Sequence, residues 1–219
     1  MTRQAAPADR MSFFPFTRGL IHARDRRLSR LAPGPEGPAR LLAEADTSVW
    51  AMVHTITLPE LRELARVRPR PPARGAELRV VLHPVGLARC PMASSVVPAL
   101  RRGPAAQPLA VVDGRLVVLR DPVGDAWWVT SDPELVARGA QTLETVWSAA
   151  DPVLAPGEPP PFTERMVRVA LLLLRGATDR QVARELRVSE RTVSAEVREL
   201  TRRLGATSRA HAIARISGV

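Results

Sequence analysis

Apolar residues recur every three to four positions along 178–205 (TDRQVARELRVSERTVSAEVRELTRRLG), with Val182, Ala183 and Leu186 in a first segment and Val193, Val197, Leu200 and Leu204 in a second. That period predicts two short helices, each burying one face. Ser189 stands just before Glu190, where its hydroxyl can accept from the free N–H groups of a helix start, and Gly205 stands where a helix stop is expected. The two helices must therefore meet at a tight turn. The same period predicts a helix over 163–175, capped by Thr163, and a last one over 209–216.

Upstream, the pattern changes repeatedly between helix and strand periods. It predicts helices over 39–45, 59–67 (opened by Pro59), 98–102 and 133–149, the last with Leu135, Leu143, Val146 and Trp147 inward. Strands are predicted over 48–54, 76–83 and 126–130, and a hairpin joins 109–112 to 115–119 around Asp113-Gly114. Adjacent strand residues point to opposite faces, so Trp127 and Trp128 do too; at least one can line a pocket, although packing in a core is the commoner use. The order implies an α/β domain with a mixed sheet over 39–150 and an all-α four-helix domain over 162–219. A stiff linker over 151–161, DPVLAPGEPPP, joins them. Residues 1–38 read as an arginine- and proline-rich arm, partly disordered. Its cluster Phe13, Phe14 and Phe16, followed by Leu20 and Ile21, is apolar enough to dock on the protein's own core, on a dimer partner or on another protein.

Charge divides along the same boundaries. Residues 1–40 hold 8 arginines against 3 acids, 41–160 hold 12 against 13, and 161–219 hold 12 against 6. A neutral middle joined to a basic helical end fits a scaffold or sensor attached to a nucleic-acid-binding module, with arginines on the outer side of the second helix of the 178–205 pair. All 32 basic residues are arginine, a bias expected of a high-GC bacterial genome. The absence of lysine excludes Schiff-base lysines, P-loops and a receiver-type phosphoacceptor site.

Cys90 is the single cysteine, which excludes an intramolecular disulfide and fits a reducing cytoplasm; it reads as a small, partly buried apolar residue rather than a redox sensor. The longest apolar run, 169–174, is too short to span a bilayer, so a soluble, cytoplasmic protein is expected. His22, His54, His83 and His211 show no paired spacing for metal or catalysis. Neither metal nor cofactor is expected.

Residues 162–219 resemble the LuxR-type four-helix DNA-binding domain. The resemblance rests on Gly176 closing the first helix, Val182-Ala183 and Leu186 in the second, Ser189, Thr192-Val193 and Val197 in the third, then Leu204-Gly205, Ser208-Arg209 and Ala212. By position it implies that Ser194, Ala195 and Arg198 face base edges, that Arg191, Thr192 and Arg202 hold phosphates, and that Ala210, Ile213 and Ala214 pair two subunits. Four positions depart from the family pattern. Arg187 stands where the turn usually has Gly, Ser194 where a basic residue is frequent, Glu196 where His is common, and Arg168 where the first helix usually has an acid. Glu196 either lowers affinity, accepts from a cytosine amino group, or pairs with a neighbouring arginine, the reading ranked first.

Residues 41–150 resemble the phospholipase D-like effector half of TrmB-type regulators, through ELRVVLHP at 77–84, PLAVVDGRLVVL at 108–119 and LVARGAQTLETVWSAADP at 135–152. Active phospholipase D enzymes need a His and a Lys two residues apart and an Asp five beyond the Lys. Here Asp113 keeps its place, but Ala106 and Pro108 stand at the other two positions, so no nucleophile is present and Asp113 reads as a turn residue. The resemblances together imply a non-enzymatic, nucleoid-associated transcriptional regulator, pathway-specific, that docks as a homodimer on double-stranded promoter or operator DNA. The alternative is an adaptor acting mainly on RNA polymerase or another regulator.

Overall fold

A computed structural model describes residues 13–31, 38, 41–42, 44–65, 77–121 and 126–218. Among these residues eight strands form one mixed sheet: β1 Ser29–Arg30, β2 Ser48–Val53, β3 Glu77–Leu82, β4 Arg101–Arg102, β5 Leu109–Val112, β6 Leu116–Arg120, β7 Trp127–Thr130 and β8 Asp151–Pro152. Their spatial order is β1-β7-β6-β5-β2-β3-β4-β8. β2 and β3 run parallel, as do β3 and β4, and the other neighbours are antiparallel. The described helices are α1 Phe13–His22, α2 Leu58–Leu64, α3 Pro84–Arg89, α4 Ala93–Val96, α5 Pro133–Ser148, α6 Glu164–Leu174, α7 Asp179–Leu186, α8 Glu190–Arg203 and α9 Arg209–Ser217. The expected mixed α/β part and all-helical end are both present, and no described helix is long and apolar enough to cross a membrane.

Strand alternation divides the buried residues between two faces. Met52, Val81, Leu109, Val111, Val117 and Leu119 face α1 and α5. At Gly139 of α5 a Cβ would stand 2.8 Å from Val117 Cγ2, so only glycine allows the helix to come this near the sheet. Phe13 is buried on this face and α1 packs against α5, which settles the phenylalanine cluster on the protein's own core. Trp128 belongs to this face and Trp127 to the other, as adjacent strand residues must.

On the other face, Val49, Ala51, Val80, Leu82, Ala110, Val112 and Val118 join a buried cluster that continues through α2 and α4 into Met166, Val167, Ala170, Val193 and Leu200 of the C-terminal helices. Leu171, Leu172 and Leu174 of α6 pack against the same cluster. Polar bonds follow the contact: Phe162 N donates to Ser95 Oγ at 3.0 Å, and Arg62 Nη1 to Glu164 Oε2 at 3.1 Å with a second bond from Nη2 to Oε1. Cys90 lies in this cluster just before α4, and burial pushes its thiol up to about 12.

The hairpin predicted at Asp113-Gly114 is present, with φ of 52° and 63°, both in the left-handed region, and Arg115 N closes the turn on the Val112 carbonyl at 2.9 Å; Val112 pairs with Leu116, so three residues rather than two separate the strands. Asp113 does more than turn the chain. Its carboxylate accepts from Asp46 N, Thr47 N, Thr47 Oγ1 and Ser48 N at 2.7–2.9 Å, fastening the entry to β2. The segment expected to be helical at 98–102 instead makes a turn, closed by Leu100 N on the Val97 carbonyl at 3.0 Å, and then β4. Five residues are too few to nucleate a helix unaided, whereas the exposed edge of β3 offers ladder partners at once. The helix expected at 39–45 falls partly outside the described residues.

Candidate nucleic-acid interface

The C-terminal unit begins with α6, whose Thr163 side chain accepts from Met166 N. α7 opens on a capping box: Gln181 N donates to Thr178 Oγ1, and Thr178 N donates back to Gln181 Oε1. It closes at Arg187, with φ 54° and ψ 46°, and Val188 N reaches the Ala183 carbonyl at 3.0 Å. A left-handed helix end in which arginine replaces the expected glycine is thus held by backbone bonding. Ser189 then caps α8 by accepting from Thr192 N at 3.1 Å.

Val193, Val197, Leu200 and Leu204 form the buried side of α8 against Val182 and Ala183. The opposite side carries Arg191, Ala195, Arg198 and Arg202 in one exposed row, at the spacing that aligns residues along a helix, with Ser194 beside it. Among the described residues, the side chains of Arg191 and Arg198 have no hydrogen-bond or ion-pair partner, so both guanidinium groups are available to an anion. The other three polar positions named from sequence are engaged. Thr192 Oγ1 lies 2.8 Å from Ser189 Oγ, Ser194 Oγ donates to Asp179 Oδ2 at 3.1 Å, and Arg202 Nε donates to Glu199 Oε2 at 2.8 Å.

Glu199 also accepts from Arg203 Nε at 2.7 Å, and the hydrogen bonds from Arg202 and Arg203 hold its carboxyl down at about 2. Asp179, at the start of α7, receives Arg209 as well as Ser194, and Arg209 Nη2 reaches the Ala177 carbonyl at 3.0 Å. One carboxylate therefore ties α7, α8 and α9 together. Its role was not legible in the sequence, because residues 179, 194 and 209 lie on three different helices and no helical period runs across the turns between them.

α9 packs through Ala212 and Ile216 on α6 and α8. Of the residues implied in subunit pairing, Ala210 is exposed while Ile213 and Ala214 are half-buried. α9 also lies against α3 of the same chain, where a Cβ on Gly218 would stand 3.1 Å from the Arg89 carbonyl oxygen. α3 in turn rests on a pair that spacing did not show: the rings of His54 and His83 stack with centroids 4.3 Å apart, and His83 Nδ1 accepts from Val85 N. Among the described residues no three of His, Cys, Asp and Glu gather as a metal-ligand set. Ala106 and Pro108 lie in the segment that leads into β5.

Solved structures similar to the chain include Nuc, a phospholipase D family member from Salmonella typhimurium, at 16% identity and TM-score 0.43, covering 56% of this chain and 96% of that one. NucT from Helicobacter pylori is similar at 12% identity and TM-score 0.45, over 57% of this chain and 99% of that one. TrmBL2, an archaeal chromatin protein with a novel mode of DNA binding, is similar at 13% identity and TM-score 0.43, over 59% of this chain and 54% of that one. No curated protein sequence matches the chain. Residues 160–216, the stretch that presents Arg191 and Arg198 from a turn and a capped helix, match the model of the family of bacterial regulatory proteins known as the luxR family.

Proposed function

We infer that the protein is a sequence-specific transcriptional regulator that reads the major groove with α8 and binds DNA as a homodimer through Ala210, Ile213 and Ala214. The luxR-family match supports DNA binding and transcription regulation at the level of class. The observation that supports this mode of reading is the exposed row Arg191, Ala195, Arg198 and Arg202, in which two guanidinium groups have no partner among the described residues. A guanidinium at Arg198 suits bidentate contact with guanine, and Arg191 and Arg202 suit phosphates. The α/β part serves as a scaffold or sensor without phosphodiester chemistry, since Ala106 and Pro108 carry no nucleophile. A pathway-specific role in a high-GC bacterium agrees with the lysine-free composition.

Gel-shift selection from fragmented genomic DNA, repeated over a salt series, tests this reading. A recovered palindromic site with half-sites about one helical turn apart and a steep salt slope is expected. Failure to shift any genomic fragment at low salt would overturn it.

A further inference from the structure

The sheet face toward α2 contains a hollow of about 350 Å³ that the proposed DNA reading does not use. Its floor follows from the sequence: Ala51 of β2 and Ala110 of β5 stand directly opposite in register, and Ala110 is in turn opposite Val118. Two alanines at neighbouring positions leave space where larger side chains elsewhere on this face, such as Leu82 and Val112, fill the core. α2 supplies one wall through Pro59 and Leu64, Trp127 of β7 supplies another, and Ile56 and Pro108, both half-buried, also line it. The volume lies at the low end of the ~300–1,000 Å³ of small-molecule sites.

The charges around the hollow decide what it accepts. Glu60 is committed to the α2 cap, accepting from Thr57 N at 2.8 Å and Thr57 Oγ1 at 2.7 Å. Arg120 lies over the Trp127 ring, and both Arg120 and Glu63 have further partners within the chain. A charged ligand would lose its hydration without gaining a free counter-ion, whereas an uncharged apolar one meets a lining that is mostly apolar, with Thr55, Glu60, Glu63 and Arg120 the polar members. We propose that this hollow between α2 and Trp127 is a binding site for an uncharged, predominantly apolar small molecule. The site stands independently of the DNA reading, and its test needs no DNA.

N-phenyl-1-naphthylamine, a neutral fluorophore that brightens in apolar surroundings, is titrated into the full chain. Saturable binding of one probe per chain is expected. Ile56→Trp and Pro108→Phe, each adding bulk to the lining from a half-buried position, should each weaken it at least tenfold while leaving the thermal melting curve unchanged. Absence of saturable binding, or equal binding by the parent and both variants, would overturn the proposal. A fall in probe bound per chain as protein concentration rises would show a second copy seated on the hollow, and would overturn it too.

Discussion

Arg165 Nε lies 2.7 Å from Glu196 Oε1, joining the first turn of α6 to the middle of α8. The carboxylate side chain is only 15% exposed and the arginine 55%, so Glu196 is tucked under its partner at the edge of the reading helix. On the proposed reading, in which α8 approaches phosphates, the chain itself neutralises this negative charge. Arg165→Ala should weaken DNA binding several-fold by leaving that charge uncompensated, while unfolding free energy falls by about 1 kcal/mol or less, as for other exposed pairs. In the double variant Arg165→Ala, Glu196→Ala the affinity should recover. Fluorescence anisotropy at one fixed salt concentration reads both; no recovery would count against neutralisation.

On the proposed reading, Glu199 and DNA compete for Arg202. Glu199→Gln should release Arg202 and Arg203, raise affinity for all sequences alike and steepen the salt dependence by about one phosphate contact. With its carboxyl held at about 2, Glu199 stays ionised from weakly acidic to alkaline pH. The stabilisation it contributes is complete above its ordinary value of 4.5 and is lost as pH falls from there through about 2. Binding of the parent protein should therefore show no Glu199-dependent change between neutral pH and about pH 5, and an affinity titration of parent against Glu199→Gln checks this.

Arg198 and Arg202 should separate by kind of loss. Arg198→Ala is expected to relax preference at one base pair by about 1–3 kcal/mol and leave the others intact. Arg202→Ala should weaken every sequence uniformly and reduce the salt slope by about one. Binding to a panel of single-base variants of the selected site distinguishes the two patterns.

Asp113→Ala removes four acceptor contacts at the entry to β2 and should cost about 1.5–3 kcal/mol of stability in urea unfolding, the range for hydrogen bonds to an ionised group. Burial alone would raise this carboxyl, but the bonds from Asp46, Ser48 and Thr47 outweigh it and hold it below 3.8. Its stabilisation is present above 3.8 and disappears as pH falls through the lower folded value, so parent and variant should converge in stability at strongly acidic pH.

The long periodic segments were legible in the sequence because each announces itself within a few residues. Thr163, Thr178, Ser189 and Ser208 cap the four C-terminal helices, and Asp113-Gly114 makes the hairpin. The missed elements, α1, α3, α4 and the two-residue strands, are either short or defined by partners far along the chain. β8 exists because Arg101 and Arg102 lie opposite Pro152 and Asp151, which no local pattern contains. The same holds for the interface: the exposed row of α8 follows from its period, whereas Asp113 gripping residues 46–48, Arg165 reaching Glu196 and His54 stacking on His83 appear only once the chain has folded. The hollow was half-visible, since Trp127 was one of two candidates to line a pocket, but the register that sets Ala51 opposite Ala110 was not.

The position of Cys90 makes it a native clock. It is the only thiol in the chain, it is buried in the cluster that crosses the seam between the sheet and the C-terminal helices, and its high pKa leaves almost no thiolate at neutral pH. Reagents that attack thiolates must wait for that seam to open, so the labelling rate of the native protein measures how often it does. DNA or an apolar ligand that holds the seam shut will slow the reaction, and no engineered probe is needed to see it.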